Sequence, residues 1–314
     1  MPTDGLYYDY YHYLKKHFGT ATYKVSADAG FTCPNIDGTV ATGGCTYCNN
    51  RSFIPGYIDR NNSISWQLEQ GITSQRKRYG AGCFLAYFQA YTNTHDSVDR
   101  LEECYRTALR HPGIDGLVVG TRADCLSEPV VALLESLARS WYTSVEIGIE
   151  SVDDRTLRRI NRGHGYAAVV DACDRIAGRG IAIGAHLILG FPWESRQQWV
   201  DSAEVVSALP IDYLKIHHLQ MIKGTALANQ YLNEPFSLPG FRDWVVLVTD
   251  FLERLRPGIA IARMSGSAPP DMLIAPKWGK KKHSEVKQHV VRELELRKAF
   301  QGKRYDRPTQ SAHP

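Results

Sequence analysis

Apolar residues in this chain come in two alternating textures. Short runs rich in β-branched residues stand at about Tyr23–Ser26, Cys83–Gln89, Gly116–Gly120, Ser144–Ile149, Ile181–Leu189 and Tyr213–Leu219. Such runs are the pattern of strands buried on both faces. Between them, apolar positions recur every three or four residues. Helices are therefore predicted over Ile64–Tyr79, Ser97–Arg110, Ser127–Ser140, Tyr166–Gly178 and Glu194–Leu209. Their ends carry the expected chemistry. Ser97 can cap, Ser127-Glu-Pro is a favourable entry, and Gly178 and Gly180 are C-cap candidates. Strand and helix alternating in this way imply right-handed crossovers and one parallel sheet, open or curled into a partial barrel. In either case the chemistry belongs at the carboxyl ends of the strands.

The pattern changes after about residue 235. A helix is expected over Leu238–Leu255, closed by Pro257-Gly258, then a short strand at Ile259–Arg263 and a basic amphipathic helix over Ser284–Phe300. From Gln301 the chain is polar and contains proline, which predicts disorder. The expected organisation is a core over 1–235 with an N-terminal helix, a small α+β extension over 236–300 and a tail over 301–314. No internal repeat is visible.

Composition narrows the class. With 314 residues and 43% hydrophobic content, the chain can bury one large core or a main domain with an appendage. No run of about eighteen apolar residues exists, and the aromatic N-terminus lacks the apolar centre of a secretory signal. A cytoplasmic, reducing location and no membrane partner are the expectation. Charge is uneven. From Lys277 onward there are eleven Lys and Arg against four Asp and Glu, a net of +7, and the rest of the chain carries −3. Such a tail suits an anionic partner, although a solvated helix face is an equally ordinary reading.

The seven cysteines are odd in number, and three of them cluster: Cys33, Cys45 and Cys48. A disulfide framework fits this poorly and a metal site fits it better. Two residues separate Cys45 from Cys48, so both thiolates can address one centre. The eleven residues before Cys45 include Gly38, Gly43 and Gly44, enough freedom to loop Cys33 back. Thiolates select zinc or iron–sulfur clusters. Structural zinc needs four ligands, and no fourth Cys or His stands at suitable spacing, so zinc would need a remote one. Three cysteines would leave one iron of a four-iron cluster open to a substrate or cofactor. The other four cysteines read as small buried hydrophobes.

Further segments are YKVSADAGFTCPN, GGCTYCNN, YFQAYTNT, GTRADCL, VEIGIES with INRGHGY, HLILGFPWES, HLQMIKGTALA and MSGSAPPDMLIAPKW. From about Tyr23 to Trp278 they resemble the radical S-adenosylmethionine (SAM) superfamily, in the YhcC/YtqA-like branch related to the Elongator catalytic subunit. The resemblance implies a partial six-stranded (β/α)6 barrel of TIM type, a 4Fe–4S cluster on Cys33, Cys45 and Cys48, and SAM as second cofactor. It implies that one electron cleaves SAM to a 5′-deoxyadenosyl radical, which abstracts hydrogen from the substrate, and that an external donor such as flavodoxin or ferredoxin supplies the electron. Carried over by position, it places Thr92 at the cofactor's amino group, Glu150 at the ribose hydroxyls, Arg162 at the methionine carboxylate, His186 near the ribose and Gly190-Phe-Pro around the adenine. Two segments depart from the pattern: Gln89, Ala90 and Tyr91 replace glycines, and Gly120 stands where relatives often carry a glutamate.

Ordinary readings stand beside these. Glu150 suits a salt bridge at a strand end, Arg162 a surface helix charge, His186 a core histidine, Asp124 a helix cap, and Lys215 and Lys223 exposed positions. Of His217 and His218, at most one can point into a barrel. The tyrosines from Tyr7 to Tyr13 suit a helix packed over the barrel. The expected function is a radical enzyme acting on a wobble uridine of tRNA. The alternatives are a radical enzyme on a small molecule or protein, and a zinc-stabilised RNA-binding module.

Overall fold

The computed structural model describes residues 5–80, 82–279 and 281–306. Five strand–helix units and a sixth strand follow one another: β1 (Thr22–Ala27), α2 (Ile64–Tyr79), β2 (Cys83–Phe88), α3 (Val98–Leu109), β3 (Gly116–Thr121), α4 (Glu128–Ala138), β4 (Tyr142–Glu150), α5 (Asp154–Arg159), α6 (Tyr166–Ile176), β5 (Ala182–Leu189), α7 (Arg196–Ser207) and β6 (Tyr213–His218). Helix α1 (Tyr10–Phe18) precedes them. The strands pair in parallel in chain order, as the α/β alternation requires. Local chemistry fixes the ends. Ser97 accepts from Arg100 N, Ser195 and Gln198 form a capping box, and Gly19 closes α1 in the left-handed region.

The sheet has seven strands rather than six. After β7 (Met221–Ile222), α8 (Ala226–Asn233) and α9 (Phe241–Arg254), strand β8 (Ala260–Arg263) joins β6 in parallel. The extension therefore completes the main sheet instead of standing apart. Its other pieces are β9 (Leu273–Ala275), antiparallel to β7, and α10 (His283–Leu296), packed on α9.

β1 and β8 remain unpaired with each other, so the curled sheet is a half-barrel. Strand pleat sorts its residues. Val25, Ala86, Val119, Ile147, Leu187 and Ile216 face the helices in the main core. At the bottom, Leu85, Tyr87, Val118, Tyr213 and Ala260 face inward and meet Tyr13 and Leu14 of α1. The tyrosine-rich helix thus plugs the amino-terminal end of the barrel. Tyr10 lies against Tyr213 with ring centroids 4.5 Å apart, while Tyr11 faces solvent.

The expectation of disorder from Gln301 fails over 301–306, and 307–314 lie outside the described residues. Gln301 is fully buried. Its amide accepts from Tyr8 N (2.9 Å) and donates to Arg256 O and Ile259 O (2.9 and 2.8 Å). One polar side chain thereby ties the turn after α10 to the segment beside β8, whose Ile261 N donates to Tyr8 O. Composition registered the polarity of this stretch but not its hydrogen bonding.

Candidate functional site

The carboxyl ends of the strands open into one cavity of about 520 Å³. All seven residues singled out in the sequence line it: Cys33, Cys45, Cys48, Thr92, Glu150, Arg162 and His186.

The rim is built from loops. The segment after β1 turns through Gly38, Gly43 and Gly44, all at positive φ. It is pinned to the turn after α5. Asn35 Nδ2 donates to Asn161 O (2.5 Å) and Arg162 O (3.0 Å), Asn161 Nδ2 to Gly44 O (2.9 Å), and Thr46 N to Ile160 O (2.9 Å). Gly163 is needed at this junction, because a Cβ there would stand 2.6 Å from Asn35 Oδ1. The cysteine loop and the loop bearing Arg162 are therefore one unit, although the sequence separates them by more than a hundred residues. Arg162 Nη2 donates to Gly148 O (2.6 Å) and lies 3.8 Å from Glu150 Oε1; Nη1 is 3.9 Å from Cys45 Sγ. Burial works against its charge, but Glu150 and Tyr47 outweigh that and hold the guanidinium protonated.

A β-bulge at Gly148–Glu150 puts Glu150 at a φ of 66° and aims it into the cavity. Thr92 is buried and donates its N–H to Thr32 O (3.0 Å). Gly120 lines the wall without a side chain. Two residues on, Arg122 enters instead, bidentate to Asp124 (2.9 and 2.8 Å). Asp124 therefore holds an arginine rather than capping a helix; α4 has Ser127 at that position, with no side-chain cap bond.

The floor is built from strands, and sequence reasoning missed most of it. Glu146 is fully buried at the barrel's centre. Its carboxylate accepts from Tyr87 Oη (2.5 Å), Lys215 Nζ (2.5 Å), Tyr213 Oη (3.1 Å) and Lys24 Nζ, and His186 Nε2 stands 2.9 Å away. Burial alone would raise this carboxyl, but Lys215, Lys24 and His186 together hold it well below the usual range. Lys215 is not exposed, as its residue type suggested. It is buried, and desolvation brings it down to about 7 against the pull of Glu146. Lys223 is exposed, as expected. His186 stacks on His217 with centroids 5.6 Å apart, whereas His218 stacks on Trp278 at 4.0 Å. Only one of the two adjacent histidines meets His186. The available signal was pleat parity: Lys24 with Ser26, Tyr87 with Gln89, Glu146 with Gly148, and Lys215 with His217 are the polar alternates of strands whose other positions are apolar.

Comparison with known proteins decides the family. The Radical SAM superfamily model matches residues 36–206, and the Radical_SAM C-terminal domain model matches 211–296. This chain belongs to the radical SAM superfamily. It is 35% identical to the uncharacterized protein YtqA of Bacillus subtilis over 97% of this chain and 94% of that one, which places it in the YhcC/YtqA-like branch. Over half of the chain it is 23% identical to a tRNA uridine(34) acetyltransferase of Methanocaldococcus infernus, covering 30% of that protein. The fold matches the solved structure of Elp3 from the same organism, with TM-score 0.66 and 16% identity over 89% of this chain and 64% of that one. The chain is an enzyme, and its cofactors are those of the superfamily, a 4Fe–4S cluster and SAM.

The residues present fit that pair. Three thiols line one cavity, the donor set that a four-iron cluster with one open iron takes. Around the cysteine loop, Arg162 Nε, Arg122 Nη1 and Asn35 Oδ1 are buried without a partner. The two arginine donors suit a carboxylate. Among the described residues, no helix is long and apolar enough to cross a membrane.

In the basic C-terminal region, several cations are already engaged. Lys287 pairs with Asp9, Arg297 with Asp250 (2.6 Å) and Arg304 with Glu253 (3.2 Å). Lys277, Arg292 and Lys298 have no ion pair among the described residues.

Proposed function

We propose that this chain is a tRNA-modifying radical SAM enzyme acting at a wobble uridine, with the cluster on Cys33, Cys45 and Cys48. Convergence of those cysteines with Thr92, Glu150, Arg162 and His186 on one cavity carries the assignment of the site. When bound, the cluster and SAM supply one-electron cleavage of the cofactor and a 5′-deoxyadenosyl radical that takes hydrogen from the substrate.

The chain's own residues then have distinct tasks. Arg162 and Arg122 present unpaired donors suited to the methionine carboxylate. Glu150, aimed inward by its bulge, can accept both ribose hydroxyls. His186 is fixed by Glu146 and neutral, since burial and Lys215 lower its pKa. The plug of α1 closes the far end, so solvent and substrate share one entrance. An external one-electron donor, a flavodoxin or a ferredoxin, completes the cycle.

The RNA part is supported by the basic C-terminal region and by the similarity to a tRNA uridine(34) acetyltransferase. Two experiments test the reading. Anaerobic reconstitution should give about four irons per chain and release 5′-deoxyadenosine with dithionite; zinc without such release would overturn it. Comparison of tRNA nucleosides with and without the gene should show one uridine derivative altered. Unchanged nucleosides, with no tRNA retained in filter binding at low salt, would sink the RNA part and leave the small-molecule or protein substrate.

A further inference from the structure

Charge is balanced at the rim of the cavity and unbalanced at its floor. At the rim, Arg162 has Glu150 and Arg122 has Asp124. At the floor, Lys24, Lys215 and Arg263 are gathered about a single carboxylate, Glu146, which is already engaged by both lysines, His186 and two tyrosines. Arg263 lines the cavity, and among the described residues it makes no hydrogen bond and no ion pair.

The backbone goes out of its way to put it there. β6 and β8 pair Leu214 with Ile261, and then Lys215 with Arg263, so β8 carries one extra residue at that step. Ile261 packs into the outer core, and without the irregularity Ala262 would oppose Lys215. The bulge instead sets Arg263 beside Lys215. The counter-charge within reach is Glu146, with Tyr87, and that carboxylate is already taken up by its other partners. His283 donates to or accepts from Ser265 Oγ (2.6 Å) and is brought down to about 4 by burial and by Arg263 itself. His217 is likewise lowered by burial and Arg263. A half-buried guanidinium that lines a cavity without a partner of its own is free to take an arriving anion.

We infer that the floor of the cavity is a subsite for an anionic group of the substrate, and that Arg263 is the residue that pairs with it. The planar fork can donate to a carboxylate or a phosphate in bidentate fashion, and Lys215 lies next to it to share the charge. A neutral group would leave the guanidinium as it stands. The inference rests on the substrate entering this cavity. It does not depend on that substrate being RNA.

The test uses the reconstituted full chain with SAM bound, so that the rim donors are occupied, and radiolabelled acetate and inorganic phosphate as probes in equilibrium dialysis. One probe should bind saturably to the wild type. Arg263→Gln should weaken it at least tenfold, and Arg263→Lys, which keeps the charge but not the fork, by less. Acetate preference assigns a carboxylate; phosphate preference assigns a phosphate ester. Because the arginine is unpaired, Arg263→Gln should also melt at or above the wild type. The inference is overturned if neither probe saturates, if Arg263→Gln binds as tightly as the wild type, if it melts lower or fails to fold, or if it loses SAM affinity instead. Unaltered tRNA nucleosides in a deletion strain would remove the RNA reading and leave this outcome untouched.

Discussion

The rim and the floor of the cavity are built in opposite ways. The rim hangs on backbone exceptions: Gly43, Gly44 and Gly163 at positive φ, Asn161 and Glu150 in the same region, and a bulge in β4. Its polar groups include buried donors with no partner. The floor hangs mostly on regular pleat, broken at the β8 bulge that sets Arg263 there, with residues from five strands meeting at Glu146 in a nearly complete hydrogen-bond network. The rim is arranged to receive a cofactor, and the floor holds itself together. A change at the rim should therefore cost chemistry before stability, and a change at the floor should cost stability first.

The largest effect expected is Cys45→Ala. It should abolish the iron–sulfur absorbance and 5′-deoxyadenosine release while moving the thermal midpoint little, measured on anaerobically reconstituted protein. A collapse of the fold instead would merge rim and floor into one structural unit.

Next is Glu146→Gln. It leaves Lys215 buried and Lys24 half-buried beside a neutral amide, and breaking a buried pair costs about 3–5 kcal/mol. Denaturant unfolding should show that loss. Adding Lys215→Met should recover part of it, since an apolar replacement of the second partner removes the stranded charge. If Glu146→Gln unfolds like the wild type, the network is not structural.

Legibility in the sequence follows the same division. Cys33, Cys45 and Cys48 could be found because a loop places its ligands within a short span of chain. The strands and most helices could be found because period 2 and period 3.6 are local properties. Glu146, Lys24 and Lys215 could be set on one face of their strands by pleat parity, but not at one centre. Each is an isolated polar residue in an apolar run, and only the closing of the barrel shows that they share one centre. Lys215 was misread as exposed because lysine is rarely buried without a partner, and its partner lies two strands away. Gln301 was misread for the same reason: its partners at Tyr8, Arg256 and Ile259 are distant in sequence. The seventh strand was seen as a strand, but nothing local in Ile259–Arg263 says which sheet it joins.

Acid should separate the two regions less sharply. His164 at the rim is held down to about 4 by burial and Arg162, and His218 behind the floor to about 3 by burial and His283. Their folded values lie below the unfolded value of about 6.5, so the unfolded chain binds protons that the folded chain refuses. Their contribution is fully present above that value and is lost as pH falls toward 4. The loss should be on the order of 1 kcal/mol per histidine for each pH unit. His164→Asn and His218→Asn should each flatten the stability profile between pH 6 and 4; an unchanged slope in both would show that neither is held neutral.

The smallest change probes the rim alone. A Cβ at Gly148 would stand 2.3 Å from Glu150 Oε1 and 2.7 Å from Arg162 Nη2. Both contacts are the ends of side chains, so the fold can yield by moving them. Gly148 has no positive φ to forbid alanine. Arg162 would then lose its bond to Gly148 O, a loss of roughly 1 kcal/mol. Gly148→Ala should thus keep iron content and melt within a few degrees of the wild type, yet bind SAM about tenfold more weakly. Equal weakening of acetate or phosphate binding would mean that the rim and the floor are not independent, because Gly148 is level with His186 in the β4–β5 register and the disturbance would have reached Glu146 through it.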